Sequence, residues 1–202
     1  MKDLIVYVHG KGGSSEEAEH YKPLFPESEV IGYDYLSQTP WEAKEEFPAF
    51  FAAQRQRCDH IILIANSIGA YFSLSALGKT LVDRAYFISP VVDMETLILT
   101  MMRSLNVTEA ELSEKCEIVT DFGETLSWRY LCWAREHSVS SLSSKTALLY
   151  GAKDEMSPRS TIDAYCRKFA CSLTVAEGAT HWFHTPEEET RMSQWEREQL
   201  EK

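Results

Sequence analysis

Residues 61–71 read IILIANSIGAY, and the fold turns on how this stretch divides. Ile61 to Ala65 is a nearly unbroken aliphatic run, as expected of a strand buried on both faces rather than one with a wet side. Asn66 and Ser67 interrupt it, and from Ile68 the pattern fits a helix over 68–79. A lone serine therefore stands between a buried strand and the start of a helix.

The same rhythm extends in both directions. Residues 4–8 (LIVYV) form a short apolar strand that stops at a glycine-rich loop, HGKGG. The segment SSEEAEHYKPLF that follows opens with helix-start residues. Residues 30–34 are a second strand. Thr39-Pro40 then opens a helix reaching about Gln56, with Pro48 expected to kink it. Beyond the serine, strands are expected at 85–88, 146–150 and 172–176, and helices at 158–169 and 187–200. Strands alternating with helices, each strand apolar throughout, predict an α/β fold. Its mostly parallel sheet would be covered on both faces, a three-layer sandwich.

One segment breaks the alternation. Residues 91–140 are far longer than an ordinary crossover. Met94, Leu97, Ile98, Met101, Met102 and Leu105 keep helical spacing. Thr108 with Glu111 can cap a second helix. ETLSWRYLCWAREH (124–137) reads as a third. The chain is thus expected to be a single domain over 1–202 carrying a helical insertion at 91–140.

Composition narrows the function. With 31 acidic and 20 basic residues the net charge is −11, which disfavours nucleic acid and anionic membranes as partners. No apolar run approaches the roughly 18 residues needed to span a bilayer. The N-terminus is too short in apolar residues for a signal-peptide core. Five cysteines at 58, 116, 132, 166 and 171 form no CxxC pair. They read as reduced thiols in a cytoplasmic protein rather than as a zinc site. No metal or cofactor is implied. Monomer and homodimer both fit the sequence.

In a parallel sheet, ligands bind beyond the carboxyl ends of the strands. The groups just past those ends are His9 to Gly13, Ser67, Asp154 in GAKDEMSP, and His181 and His184 in EGATHWFHTP. Serine, acid and histidine thus converge on one edge in the order Ser67, Asp154, His181. A serine hydroxyl is a weak nucleophile until an adjacent base accepts its proton, and His181 can be that base.

At these residues the chain resembles the α/β-hydrolase family. Ala65-Asn66-Ser67-Ile68-Gly69 is similar to the G-x-S-x-G nucleophile elbow, with alanine where the family more often has glycine. Gly151-Ala152-Lys153-Asp154-Glu155-Met156-Ser157-Pro158 resembles the family's acid loop, and Gly178-Ala179-Thr180-His181-Trp182 its histidine loop. Asp93 is a second candidate acid, with a helix cap as its alternative reading. His184 is the competing histidine, otherwise a polar residue near a helix start. His9-Gly10-Lys11-Gly12-Gly13 resembles the loop that supplies an oxyanion donor. Backbone N–H groups of Ile68 and Lys11, with Gly12 in reserve, are the expected oxyanion hole. His9 is given no catalytic role.

The resemblance implies a minimal α/β-hydrolase with six strands ordered 2-1-3-4-5-6, and the insertion where the family usually carries a cap. It implies a Ser-His-Asp serine hydrolase acting on a small-molecule ester of small or medium acyl chain. Thioesterase, amidase or peptidase, and acyltransferase activity use the same triad. A non-catalytic binding protein of the same fold is the alternative from another class. Trp182, Met101 and Trp128 are expected to line the substrate pocket, Trp182 with the best claim, while core packing accounts for most of the insertion's Met and aromatic residues.

Overall fold

The computed structural model describes residues 3–121, 123–143 and 145–200. Six strands form one sheet: β1 (Leu4–Val8), β2 (Glu29–Gly32), β3 (Ile61–Asn66), β4 (Arg84–Ile88), β7 (Thr146–Gly151) and β8 (Ser172–Ala176). Two further strands, β5 (Glu117–Val119) and β6 (Thr125–Ser127), pair separately as an antiparallel hairpin. The large sheet runs β2-β1-β3-β4-β7-β8, which is the expected order once the hairpin is counted. Every pairing in it is parallel. All strands therefore end at the same edge.

Alternation along the strands divides the interior into two cores. Leu4, Val6, Val8, Leu63, Ala65, Phe87 and Leu148 face one side. There they meet α1 (Pro40–Arg55), α2 (Ile68–Ala76) and α6 (Arg159–Phe169) through Phe47, Phe51, Tyr71, Leu74 and Ile162. Ile5, Tyr7, Ile62, Ile64, Ile88 and Leu149 face the other. They are covered by a 3-10 helix (Ser15–Leu24) and by α7 (Pro186–Leu200), through Ala18, Tyr21 and Trp195. Burial on both faces explains why the strands read as unbroken apolar runs.

The insertion contributes α3 (Met94–Ser104), α4 (Glu109–Lys115), the hairpin and α5 (Trp128–Glu136). Its buried Met94, Leu97, Ile98, Met102, Leu112, Leu126 and Leu131 join the core on the α1/α2/α6 side. Trp133 of α5 packs edge-on against Trp41 of α1 and Tyr71 of α2.

Three local expectations are revised. The third insertion helix starts at Trp128, because 125–127 are paired with 117–119. The segment after β1 is a 3-10 helix rather than an α-helix. Gly32 of β2 lies so close that a Cβ there would collide with the backbone of Ser15, which holds the segment against the sheet edge. α2 ends at Ala76, where Leu77 turns extended. α1 spans Pro40–Arg55 with Pro48 inside it, close to the expected extent. No helix among the described residues is long and apolar enough to cross a membrane. All five cysteines are free thiols.

Candidate active site

Ser67 is the single residue between β3 and α2. Its backbone sits at φ 49, ψ −118, a region that costs a non-glycine residue about 1–3 kcal/mol and persists only where its surroundings enforce it. The enforcing contacts are visible. Ser67 N donates to Ile88 O at 3.0 Å, and Val91 N donates to Ser67 O at 3.2 Å. On the other side of the turn, a Cβ on Gly69 would collide with the carbonyls of Val8 and His9. Glycine at 69 is thus required by the close approach of α2 to the end of β1. Ala65, by contrast, is accommodated wholly within the core.

His181 lies on the loop after β8. Its Nε2 is 2.9 Å from Ser67 Oγ, and its Nδ1 is 2.7 Å from Asp154 Oδ2. The side chains of His181 and Asp154 are only 3% and 0% exposed. The second carboxylate oxygen, Oδ1, accepts from Met156 N at 2.8 Å and Ser157 N at 2.9 Å. Both oxygens of this buried group are therefore satisfied, as burial of a charge demands. The two loops are also packed backbone to backbone. Lys153 N donates to Ala179 O at 2.8 Å, and a Cβ on Gly151 would collide with Thr180 O.

The alternatives fall elsewhere. Asp93 caps α3, accepting from Thr96 N at 3.0 Å and from the Thr96 hydroxyl at 2.7 Å. It lines a groove of about 450 Å3 between α3, α5 and α6 that none of Ser67, Asp154 and His181 lines. The His184 side chain is 65% exposed and stands at the start of α7.

Ile68 is the first residue of α2, where backbone N–H groups have no intrahelical acceptor. The loop after β1 passes beside the serine: a Cβ on Gly10 would lie 3.2 Å from Ser67 Cβ. Gly13 N closes a turn on Gly10 O at 3.2 Å, with Gly12 at φ +77. Lys11 projects outward to an ion pair with Glu124 at the hairpin turn. His9 stacks on Tyr35 with ring centroids 4.4 Å apart, and Tyr35 Oη donates to His9 O at 2.9 Å. Glu17 accepts from Ser14 N at 3.1 Å and from Tyr7 Oη at 2.5 Å. Burial, reinforced by Glu17, pushes the Tyr7 phenol far above its ordinary value, so it remains a donor.

Trp182 stands edge-on to His181 with centroids 5.2 Å apart, yet is 65% exposed. Met101 and Trp128 are half-buried against the main core. Sequence reading did not single out Gly10, Tyr35 or Gly151 as site supports. Gly10 and Gly151 had a signal, as glycines one to three residues from reactive groups; Tyr35 had none, since only the fold brings it to His9.

No protein-family model and no curated protein sequence matches the chain. Solved structures do. Est1E from Butyrivibrio proteoclasticus superposes with a TM-score of 0.74 at 17% identity, over 100% of this chain and 89% of that one. Mouse alpha/beta hydrolase domain-containing protein 10 gives 0.70 at 14% identity, over 95% and 87%. An esterase of Pyrococcus furiosus gives 0.64 at 16% identity, over 99% and 82%. At such identities the likeness is one of architecture, and it agrees with the parallel sheet and its strand order: the chain has the α/β-hydrolase fold.

Proposed function

We propose that the protein is a serine hydrolase cleaving carboxylic esters of small or medium acyl chain. The observation that carries this reading is the continuous hydrogen-bonded line from Ser67 Oγ through His181 to Asp154. His181 Nε2 takes the Ser67 proton as Oγ attacks the acyl carbon. The oxyanion that forms is met by the N–H of Ile68 and by that of Lys11 or Gly12. Collapse of the intermediate expels the alcohol, which receives the proton from His181. Water, deprotonated by the same histidine, then attacks the acyl-enzyme and releases the acid. Asp154 holds the imidazole in the tautomer whose Nε2 is free to accept.

In this reading residues 91–140 cap the site within one domain, and Trp182, Met101 and Trp128 supply apolar surface to the substrate. The neighbours named as esterases support ester chemistry by analogy of fold, which does not by itself choose among acyl substrates. Treatment with a fluorophosphonate probe is expected to label Ser67 and no other serine. A screen of p-nitrophenyl esters, acyl thioesters and anilides is expected to rank short and medium esters first, with activity lost in Ser67→Ala. A folded protein that is neither labelled nor active would leave the binding-protein reading in its place.

A further inference from the structure

The loop from Gly178 to Thr185 carries His181 into α7, and two of its residues hold positive φ: Gly178 at 83° and Phe183 at 47°. Such a loop keeps one shape only if something fixes it. On the β7 side the fixing is the backbone contact with Lys153 and Gly151 described above. On the other side is a single carboxylate. Glu188 Oε1 accepts from Thr180 N at 2.6 Å, and Oε2 accepts from His184 N at 3.0 Å and Thr185 N at 2.9 Å. Glu188 is 7% exposed at its side chain, and His184 Nδ1 is 3.6 Å from Oε2.

Part of this arrangement is ordinary helix capping. Glu188 N donates to the Thr185 hydroxyl at 3.3 Å while the glutamate reaches back to Thr185 N, a reciprocal capping box. The bond to Thr180 is not part of any cap. That amide lies eight residues upstream and belongs to the residue immediately before His181.

We infer that Glu188 is a positioning residue for His181, tying the backbone on both sides of the histidine to the first turn of α7. The inference rests on the hydrolase reading for its catalytic consequence, but its structural content does not. The backbone N–H groups of Thr180 and Thr185 hold the Glu188 carboxyl down at about 2, so its charge is constant wherever a histidine base operates. By the same sign, the stability it lends is present above the ordinary glutamate value and is lost only as pH falls toward about 2.

The discriminating variant is Glu188→Gln. Glutamine also forms capping boxes, so with its oxygen on Thr185 it presents an amide donor to the Thr180 N–H and breaks that link alone. Full-length wild type, Glu188→Gln, Glu188→Asp and a control are compared on p-nitrophenyl butyrate. The control is Glu196→Gln, which removes the negative charge of the α7 partner of His20 (2.9 Å). Expected for Glu188→Gln is a kcat lower by about tenfold or more, as a misplaced base produces. KM should stay within about twofold, and melting should be close to that of the control. The downfield proton resonance of His181 Nδ1 should broaden or vanish in Glu188→Gln and persist in Glu196→Gln. Glu188→Asp, too short to span both sides, is expected to show the same loss of kcat and serves if the glutamine variant does not fold. Wild-type kcat with an intact resonance in either Glu188 variant would overturn the inference. If the wild type neither turns over ester nor labels at Ser67, the hydrolase reading fails, and the resonance still decides the role of Glu188.

Discussion

The two sides of Ser67 are built differently. On the acid–base side, Asp154 and His181 are buried, every oxygen of the carboxylate has a donor, and the two loops touch backbone to backbone. On the donor side, the loop 9–13 packs on Tyr35 and the serine turn, but its middle reaches the hairpin through Lys11 and Glu124, whose side chains are 59% and 34% exposed. In the proposed hydrolase, proton transfer would need these groups held to within about 0.5 Å, which close packing favours. Exposed ion pairs hold position only weakly, because solvent and salt compete for both charges. If the loop supplies the oxyanion donor as proposed, the donor side is expected to be the adjustable one.

Three substitutions would break or sharpen this contrast. Asp154→Asn is expected to act most strongly. It puts an amide where His181 needs an acceptor, so kcat on an ester should fall by about 10^3 to 10^4, with the melting temperature as the check on folding. Gly151→Ala comes next. Its methyl must push the Thr180 carbonyl away, which should cost about 1–3 kcal/mol in denaturant unfolding, the scale of overpacking a tight contact, and lower kcat along with it. Glu124→Gln is expected to be mild. Loss of an exposed pair is worth about 0–1 kcal/mol, so kcat/KM should change by at most about fivefold. Wild type in about 1 M salt should approach the variant. A Glu124→Gln effect as large as that of Gly151→Ala would show that the two sides are equally rigid.

Much of the fold was legible because the six strands are buried on both faces and so carry unbroken apolar runs. The hairpin was not. Each of its strands is three residues long, and Val119 is 77% exposed, so no periodicity marks it. Pairing of 125–127 with 117–119, closed by Thr120 N donating to Glu124 O at 2.7 Å, took residues that otherwise suit a helix. The segment 15–24 is a 3-10 helix, and its start lies against β2 at Gly32, a contact between segments that local patterning does not mark. Asp93 and His184 illustrate the reverse case. Each is of the right residue type past the end of a strand, and what separates them from Asp154 and His181 is distance and burial.

The sequence by itself determined the alternation of strands and helices, the polar turn at Ser67 and the order of the three reactive residues. These follow from local patterning and from the chemistry of side chains. Only the tertiary structure decided which acid faces which histidine, how the insertion packs, and that a glutamate on the last helix holds the backbone before His181. Those are contacts between segments distant in the chain, and they depend on where the strand ends meet, which local sequence does not specify.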